Sequence, residues 1–261
     1  MAQAPRTQPH VTLVGAGPGD PELLTLKAVK AINSATVLLV DDLVSDAITA
    51  HASPMARIIY VGKRGGCKST PQAFIEKLMT QEALAGETVV RLKGGDPFIF
   101  GRGGEEVEHL QAQGIAVTVI NGITSGLAGV TSLGIPLTHR EHAHGVVFIT
   151  GHAKHDAADY VDWVALGQTA AQAKLTLVIY MGMSGAAHLQ EALLQNMRAN
   201  TPVAVIHQVS LPTQRHVICE LQQLHSTIVH EQLASPSVII VGDVFKGLLE
   251  LRANQPTKLT A

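Results

Sequence analysis

The stretch Val89-Val90-Arg91-Leu92-Lys93-Gly94-Gly95-Asp96-Pro97-Phe98-Ile99-Phe100-Gly101-Arg102-Gly103-Gly104-Glu105-Glu106 carries the strongest structural signal in the chain. Thr88 to Leu92 predicts a buried strand. From Glu105 onward a helix continues through Val107, Leu110 and Gln111. Between the two lie five glycines, one proline, two phenylalanines and a cluster of charge. A loop needs one or two glycines to turn. Five point to a backbone that must come close to something else. The loop follows the carboxyl end of a strand, where open α/β sheets bind their ligands.

Working outward, the same strand-then-loop pattern recurs on both sides. Val11 to Val14 predicts a strand that runs into Gly15-Ala16-Gly17-Pro18-Gly19-Asp20-Pro21. A helix then presents Leu23, Leu24, Leu26, Val29 and Ile32 on one face, with Asp20 as N-cap and Pro21 at N1. This turn is a poor G-x-G-x-x-G: its third glycine falls too early and its prolines stiffen it. Thr36 to Val40 predicts the second strand and ends at Asp41-Asp42. An acidic residue there can bind a ribose hydroxyl or simply cap the next helix. Arg57 to Val61 predicts the third strand, followed by Gly62-Lys63-Arg64. Thr70 and Pro71 restart a helix with Phe74, Ile75, Leu78 and Met79 as core positions. Ala116 to Ile120 predicts the fifth strand, ending near Thr124-Ser125, and Gly134 to Glu141 reads as the crossing to a second domain.

In the second half, strands are predicted at 146–150, 175–180, 202–207, 217–220 and 237–241. Lys154 to Lys174 reads as a loop with a short helix around Trp163. Helices follow at about 186–197 and 221–232. Alternating strands and helices mean an α/β protein with largely parallel pairing. The second half is less regular and leaves room for antiparallel strands. The expected boundaries are an N-terminal domain over 10–138, a C-terminal domain over 139–252, and flexible tails at 1–9 and 253–261.

The composition excludes several classes. With 46% hydrophobic and 15% charged residues, the 261-residue chain is globular and large enough for a sizeable core. A formal net charge of −2 and no Lys/Arg run argue against binding nucleic acid by phosphate neutralisation. Cys67 and Cys219 form no disulfide framework, which fits a reducing cytoplasm. No stretch has the ~20 apolar residues of a membrane helix, and residues 1–10 have no apolar signal core. The 13 histidines are scattered without metal-ligand spacing, so no metal is expected.

In a parallel sheet all strand carboxyl ends share one rim. Pro18, Asp41, Lys63, the Gly94–Arg102 loop and Thr124-Ser125 should therefore converge. A carboxylate, an ammonium and arginines facing one another suit a polyanionic ligand and proton movement.

Taken together these loops resemble the tetrapyrrole methyltransferases, and within them the branch acting on uroporphyrinogen III. The matching stretches are Val14–Lys27, Asp41–Ser45, Val61–Arg64, Val89–Glu106, Gly122–Ser125, Gly134–Arg140, Thr150–His152, Thr176–Gly182, Pro202–Ala204 and Ile240–Gly242. They cover nearly the whole chain in order, and the long central one is highly specific. The resemblance implies the tetrapyrrole methylase fold, two α/β domains with the active cleft between them, in a cytoplasmic homodimer. It implies S-adenosylmethionine as cofactor, leaving as S-adenosylhomocysteine, held by Pro18, Gly94, Gly95, Asp96, Ile99, Thr124, Ser125, Met181 and Ala204. Asp41 and Lys63 match the family's proton acceptor and donor. Arg102, Glu105 and Arg140 match positions that contact the tetrapyrrole, and Arg102 is also a candidate catalytic residue. An arginine stays protonated in proteins, so substrate clamp is its preferred role.

The reaction implied is methylation at C2 and C7, through precorrin-1 to precorrin-2, feeding sirohaem, cobalamin or haem d1. The chain departs from the family at Asp42, at Cys67-Lys68 and in the longer segment 154–174. It lacks the additional module of fused sirohaem synthases, so methylation alone is expected. The rival readings are a methyltransferase for another precorrin, an NAD(P)-binding oxidoreductase, and a tetrapyrrole-binding protein without catalysis.

Overall fold

The computed structural model describes residues 8–62, 71–151 and 161–246. The chain forms two compact units that divide after Ser125.

The first unit is a five-stranded sheet of β1 (His10–Gly15), β2 (Val37–Val40), β3 (Arg57–Tyr60), β4 (Val89–Lys93) and β5 (Ala116–Ile120). Every pairing is parallel, in the order β3-β2-β4-β1-β5. The helices are α1 (Leu26–Ser34), α2 (Asp46–Thr49), α3 (Gln72–Leu84), α4 (Gly103–Ala112) and the start of α5 (Ser125–Ser132). Side chains of a strand alternate between faces, and two separate cores result. Val14, Leu38, Val40, Val90 and Leu92 pack with Ala28 and Ile32 of α1. Leu13, Leu39 and Val89 pack on the other face with Ile75 and Met79 of α3 and Leu110 of α4. β4 is buried along its whole length, Arg91 and Lys93 included. From β1 the chain moves toward β2, and from β4 it crosses to β5. The adjacent carboxyl ends of β1 and β4 are therefore a topological switch point, where such sheets open a crevice.

The second unit contains β6 (Gly145–Thr150), α6 (Trp163–Ala173), β7 (Leu175–Tyr180), α7 (Ala186–Leu193), β8 (Pro202–His207), β9 (Arg215–Glu220), α8 (Leu224–His230) and β10 (Ser237–Val241). Its sheet runs β6-β7-β10-β8-β9. β6 and β7 are parallel, while β7–β10, β10–β8 and β8–β9 are antiparallel. The parallel alternation expected from the sequence thus holds for the first unit, and the irregular second half is a mixed sheet. Leu177, Ile179, Val203, Val205, Ile239 and Val241 face Trp163, Leu189, Leu193, Leu224 and Ile228 of the three helices. The opposite face receives α5.

The division after Ser125 lies one helix earlier than the 138/139 boundary expected from the sequence. α5 groups with the second unit because its small residues fit closely on that sheet. A side chain at Gly126 would come within 2.4 Å of Val178 and Tyr180, and one at Gly129 within 3.0 Å of Ile206. Tyr180 Oη accepts the Gly126 N–H at 2.9 Å.

Four local expectations change. Asp20 caps only a 3-10 turn over Pro21–Leu23, accepting Glu22 N–H at 2.8 Å. The cap of α1 is Thr25, which accepts Ala28 N–H at 3.1 Å. The buried stripe of α1 is Ala28 and Ile32, so Leu26 at the first position is 82% exposed. On α3 the stripe Ile75, Met79 and Ala83 faces the sheet, leaving Phe74, about 100° around the helix, 54% exposed. Around Trp163 the short helix becomes the eleven-residue α6, opened by Asp162, which accepts Ala165 N–H at 2.9 Å.

Candidate active site

The loops after β1, β4 and β5 meet main chain to main chain. Ala16 N–H donates to Lys93 O at 2.8 Å, and Gly17 and Gly95 exchange hydrogen bonds of 3.1 and 2.7 Å. A Cβ at Gly122 would sit 2.2 Å from Gly95 O and 2.7 Å from Gly15 C, and one at Gly15 would sit 2.4 Å from Gly122 N. No side chain fits at either position. Gly95 also has a φ of +66°, a conformation that favours glycine. The glycine-rich loop does come close to another backbone, and that backbone belongs to its own neighbours. This contact brings Pro18, Gly94, Gly95 and Thr124 together. The glycine turn after β1 is used up in the same contact. It leads into a 3-10 turn before α1, which is not the helix start a dinucleotide phosphate needs.

Asp96 ties the assembly down. Its buried carboxylate accepts from Phe98 N–H at 2.8 Å, Gly122 N–H at 3.1 Å and Asn121 Nδ2 at 3.2 Å. Its oxygens point into the protein's own loops. The chain then turns through Phe98, Ile99 and Phe100, all exposed. Phe100 and Arg102 take left-handed backbone conformations, with φ of 53° and 58°. Such strain is concentrated at functional segments. Arg102 is the N-cap residue of α4 and donates through Nε to Glu105 Oε1 at 3.0 Å, while its Nη2 also bonds Glu105. The Glu105 hydrogen bond pushes the Arg102 guanidinium above its ordinary range, so this residue is a permanent cation. Both side chains are exposed.

Beneath this segment lies a network that inspection of loops alone misses. Glu106, in the first turn of α4, is fully buried. Its Oε1 accepts from Lys93 Nζ at 3.0 Å, Arg91 Nε at 3.2 Å and Gln72 Nε2 at 3.2 Å. Its Oε2 lies 3.0 Å from Lys93 Nζ and, among the described residues, has no hydrogen bond beyond that ion pair. Arg91 also donates through Nη1 to Leu39 O and Leu92 O, each at 3.3 Å, and its Nη2 is 3.9 Å from Asp41 Oδ1. Burial pushes the Lys93 ammonium below its ordinary range, and the Arg91 charge adds to the shift. Over the network opens a pocket of about 320 Å³, lined by Asp41, Gln72, Arg91, Lys93, Phe100 and Arg102 among others. The signal was legible: two cations two residues apart share one face of a strand and, if the strand is buried, need an anion. Glu106 supplies it.

The structure thus brings Asp41 and Arg102 to one pocket, with Glu105 bonded to Arg102. It groups Pro18, Gly94, Gly95, Asp96 and Thr124 beside it, and Ser125 begins α5. Lys63 lies outside the described residues, as do Cys67 and Lys68. Three expected site residues belong to the second unit. Met181, just after β7, is 46% exposed in a left-handed conformation with φ 53°. Ala204 is fully buried in mid-β8, between Ile240 and Ile218. Its side chain offers no surface to a ligand. Arg140 is exposed on a turn closed by paired hydrogen bonds between His139 and Ala143 of 2.8 and 2.9 Å. On that turn His139, Glu141 and His142 have ligand atoms within 4.8 Å of one another. The two rings stack at 4.6 Å, and His139 Nδ1 already accepts Glu141 N–H at 3.2 Å. Among the described residues no helix is long and apolar enough to cross a membrane.

The sequence profile of the Tetrapyrrole (Corrin/Porphyrin) Methylases matches residues 10–225. The chain is 48% identical over 252 residues to the uroporphyrinogen-III C-methyltransferase of Pseudomonas aeruginosa, covering 96% of this chain and 98% of that one. It is 45% identical over 235 residues to the enzyme of the same name from Bacillus subtilis, covering 90% of each. Among solved structures, the uroporphyrin-III C-methyl transferase of Thermus thermophilus complexed with S-adenyl homocysteine superposes with a TM-score of 0.75 at 38% identity, covering 90% of this chain and 92% of that one. Profile, relatives and fold agree over nearly the whole length, and the chain belongs to the tetrapyrrole methylases.

Proposed function

We propose that this protein is an S-adenosylmethionine-dependent C-methyltransferase that methylates uroporphyrinogen III at C2 and C7, giving precorrin-2 by way of precorrin-1. The observation that carries the reading is the shared pocket of Asp41, Arg91, Lys93 and Arg102 beside the joined loops of β1, β4 and β5. The coarser part of the reading, C-methylation of uroporphyrinogen III, is supported by the relatives above, which are named for it over almost the same length of chain.

The residues fit the methyl donor. S-Adenosylmethionine has no phosphate, and the glycine turn after β1 leads into a 3-10 turn instead of a phosphate-binding helix start. A side chain at Gly95 would meet only Thr124 Cα, at 3.8 Å, so the surface there is open. Ile99 and Met181 add exposed apolar surface. When bound, the cofactor supplies an electrophilic methyl group on a sulfonium. In this reading Pro18, Gly94, Gly95, Ile99, Thr124, Ser125 and Met181 hold it, Asp96 fixes the loop that does so, and buried Ala204 is left out of the contact surface.

The acceptor carries a carboxylate on every pyrrole side chain, and arginine matches carboxylate geometry in a bidentate way. Arg102, a cation oriented by Glu105, serves as a clamp, and Arg140 as a second. A ring carbon takes the methyl, and the positive charge left on the macrocycle is discharged by loss of a proton. Asp41 is the acceptor for that proton, held toward Arg91, and Lys63 the donor. Much of the acceleration is positioning. The same reading includes a cytoplasmic homodimer and product use in sirohaem, cobalamin or haem d1 synthesis. Incubating the protein anaerobically with uroporphyrinogen III and S-adenosylmethionine, then weighing the product, tests it. A mass gain of two methyl groups is expected, with carbon NMR locating them. Absence of any methylated tetrapyrrole would overturn the reading.

A further inference from the structure

Arg91, Gln72 and Lys93 all line the pocket floor, and all three bond the same buried carboxylate. Their remaining capacity differs. Arg91 is used on Glu106, on two carbonyls and toward Asp41. Lys93 has three N–H donors, and among the described residues Glu106 is the acceptor found for it. A buried ammonium already paired with Glu106 but with N–H donors to spare, at the floor of an open pocket, is placed to donate to a further acceptor.

We propose that Lys93 is a binding residue for one carboxylate arm of the tetrapyrrole, and that Glu106 is a positioning residue that keeps Lys93 charged and aimed at the pocket. The proposal rests on the function given above and adds a subsite to it. Among the described residues, the charged groups around Lys93 are Arg91 on its own strand, Asp41 and Asp42 from the end of β2, Glu106 from α4, and Arg102 with Glu105 at the start of α4. α3 adds Gln72 and, one turn on, Glu76, which faces His109 of α4 at 3.7 Å. β1 adds no titratable side chain opposite Lys93, where Gly15 is its partner.

The sign of the pH effect follows. Burial and Arg91 lower the Lys93 pKa, and Glu106 raises it. Removing the Glu106 charge leaves Asp41 as the one raising influence against burial and Arg91, so Lys93 loses its proton at lower pH. Glu106→Gln should therefore move the alkaline limb of kcat/KM to lower pH. Lys93→Met, which keeps the length of the side chain, should raise the KM for uroporphyrinogen III by about 10- to 100-fold, the loss of one charged hydrogen bond. It should change kcat less and leave S-adenosylmethionine affinity unaltered.

Both variants are compared with the parent enzyme, with circular dichroism and cofactor binding as checks on folding. An active parent, a KM unchanged in Lys93→Met and an unshifted limb in Glu106→Gln would overturn the proposal while leaving the function intact. A fall in kcat for Glu106→Gln on a superimposable pH profile would reduce Glu106 to a structural group and also overturn it. A parent that methylates nothing defeats the underlying function instead. Should Lys93→Met not fold, the limb of Glu106→Gln decides; should Glu106→Gln not fold, the KM of Lys93→Met decides. If both fail, Lys93→Arg in the parent decides, since a side chain that stays charged must remove the rise of the KM for uroporphyrinogen III at alkaline pH; a KM that rises with pH as in the parent overturns the proposal.

Discussion

Asp96 accepts hydrogen bonds from Phe98, Asn121 and Gly122, and alanine in its place would leave those donors without their acceptor. Asp96→Ala is expected to lower stability by about 2–4 kcal/mol and to weaken S-adenosylmethionine binding at the same time, because the loop at Gly95 loosens. Urea unfolding and calorimetry with the cofactor measure the two effects. Weaker binding at unchanged stability would make Asp96 a direct contact instead. Arg102 behaves differently. It is exposed and, among the described residues, paired with its exposed neighbour Glu105, so Arg102→Ala should change stability by less than about 0.5 kcal/mol. Turnover should fall while cofactor affinity stays, and an equal loss of both would move Arg102 to the cofactor side. At this scale the sequence identifies which residues carry charge at a strand end. It says nothing of partners, and the Glu106 network shows why. Its members sit at 72, 91, 93 and 106, and only the parallel sheet and the α3–α4 packing bring them together.

Residue type marks a helix start most plainly where the cap directly precedes an apolar stripe. Asp162, bonded to Ala165 N–H, is such a case, although the sequence reading places only a short helix around Trp163 and names no cap. Asp162→Ala should lower stability by about 1 kcal/mol, read as a lower thermal midpoint. Before α1 the same reasoning stopped too early. Asp20 and Pro21 have the right types, yet a 3-10 turn intervenes and Thr25 does the capping. Each strand of the first unit was legible because its apolar run is bounded by glycine or acidic residues. Pairing direction in the second unit was not. An apolar run such as Ser237–Val241 suits a parallel or an antiparallel neighbour equally, and only long-range packing chooses.

At the level of the whole molecule, α5 is the segment that the sequence reading places in the N-terminal domain and that groups with the second unit, and its glycines are the reason. Tyr180→Phe removes the acceptor of Gly126 N–H and should cost about 1 kcal/mol. Hydrogen exchange should speed up in α5 and β7 and stay unchanged in β1 and β4; faster exchange in β1 and β4 as well would count against the grouping of α5 with the second sheet. The glycines that join the first unit's loops have a different consequence. Gly15, Gly95 and Gly122 touch without side chains between them, so no one loop can lift away alone. To free the Gly17 amide from Gly95 O is also to disturb the Gly95 amide on Gly17 O and the Asp96 clasp on Gly122. The three loops therefore open as one latch, with a single free energy, and their amides should exchange at a common limiting rate that a bound methyl donor slows for all of them together.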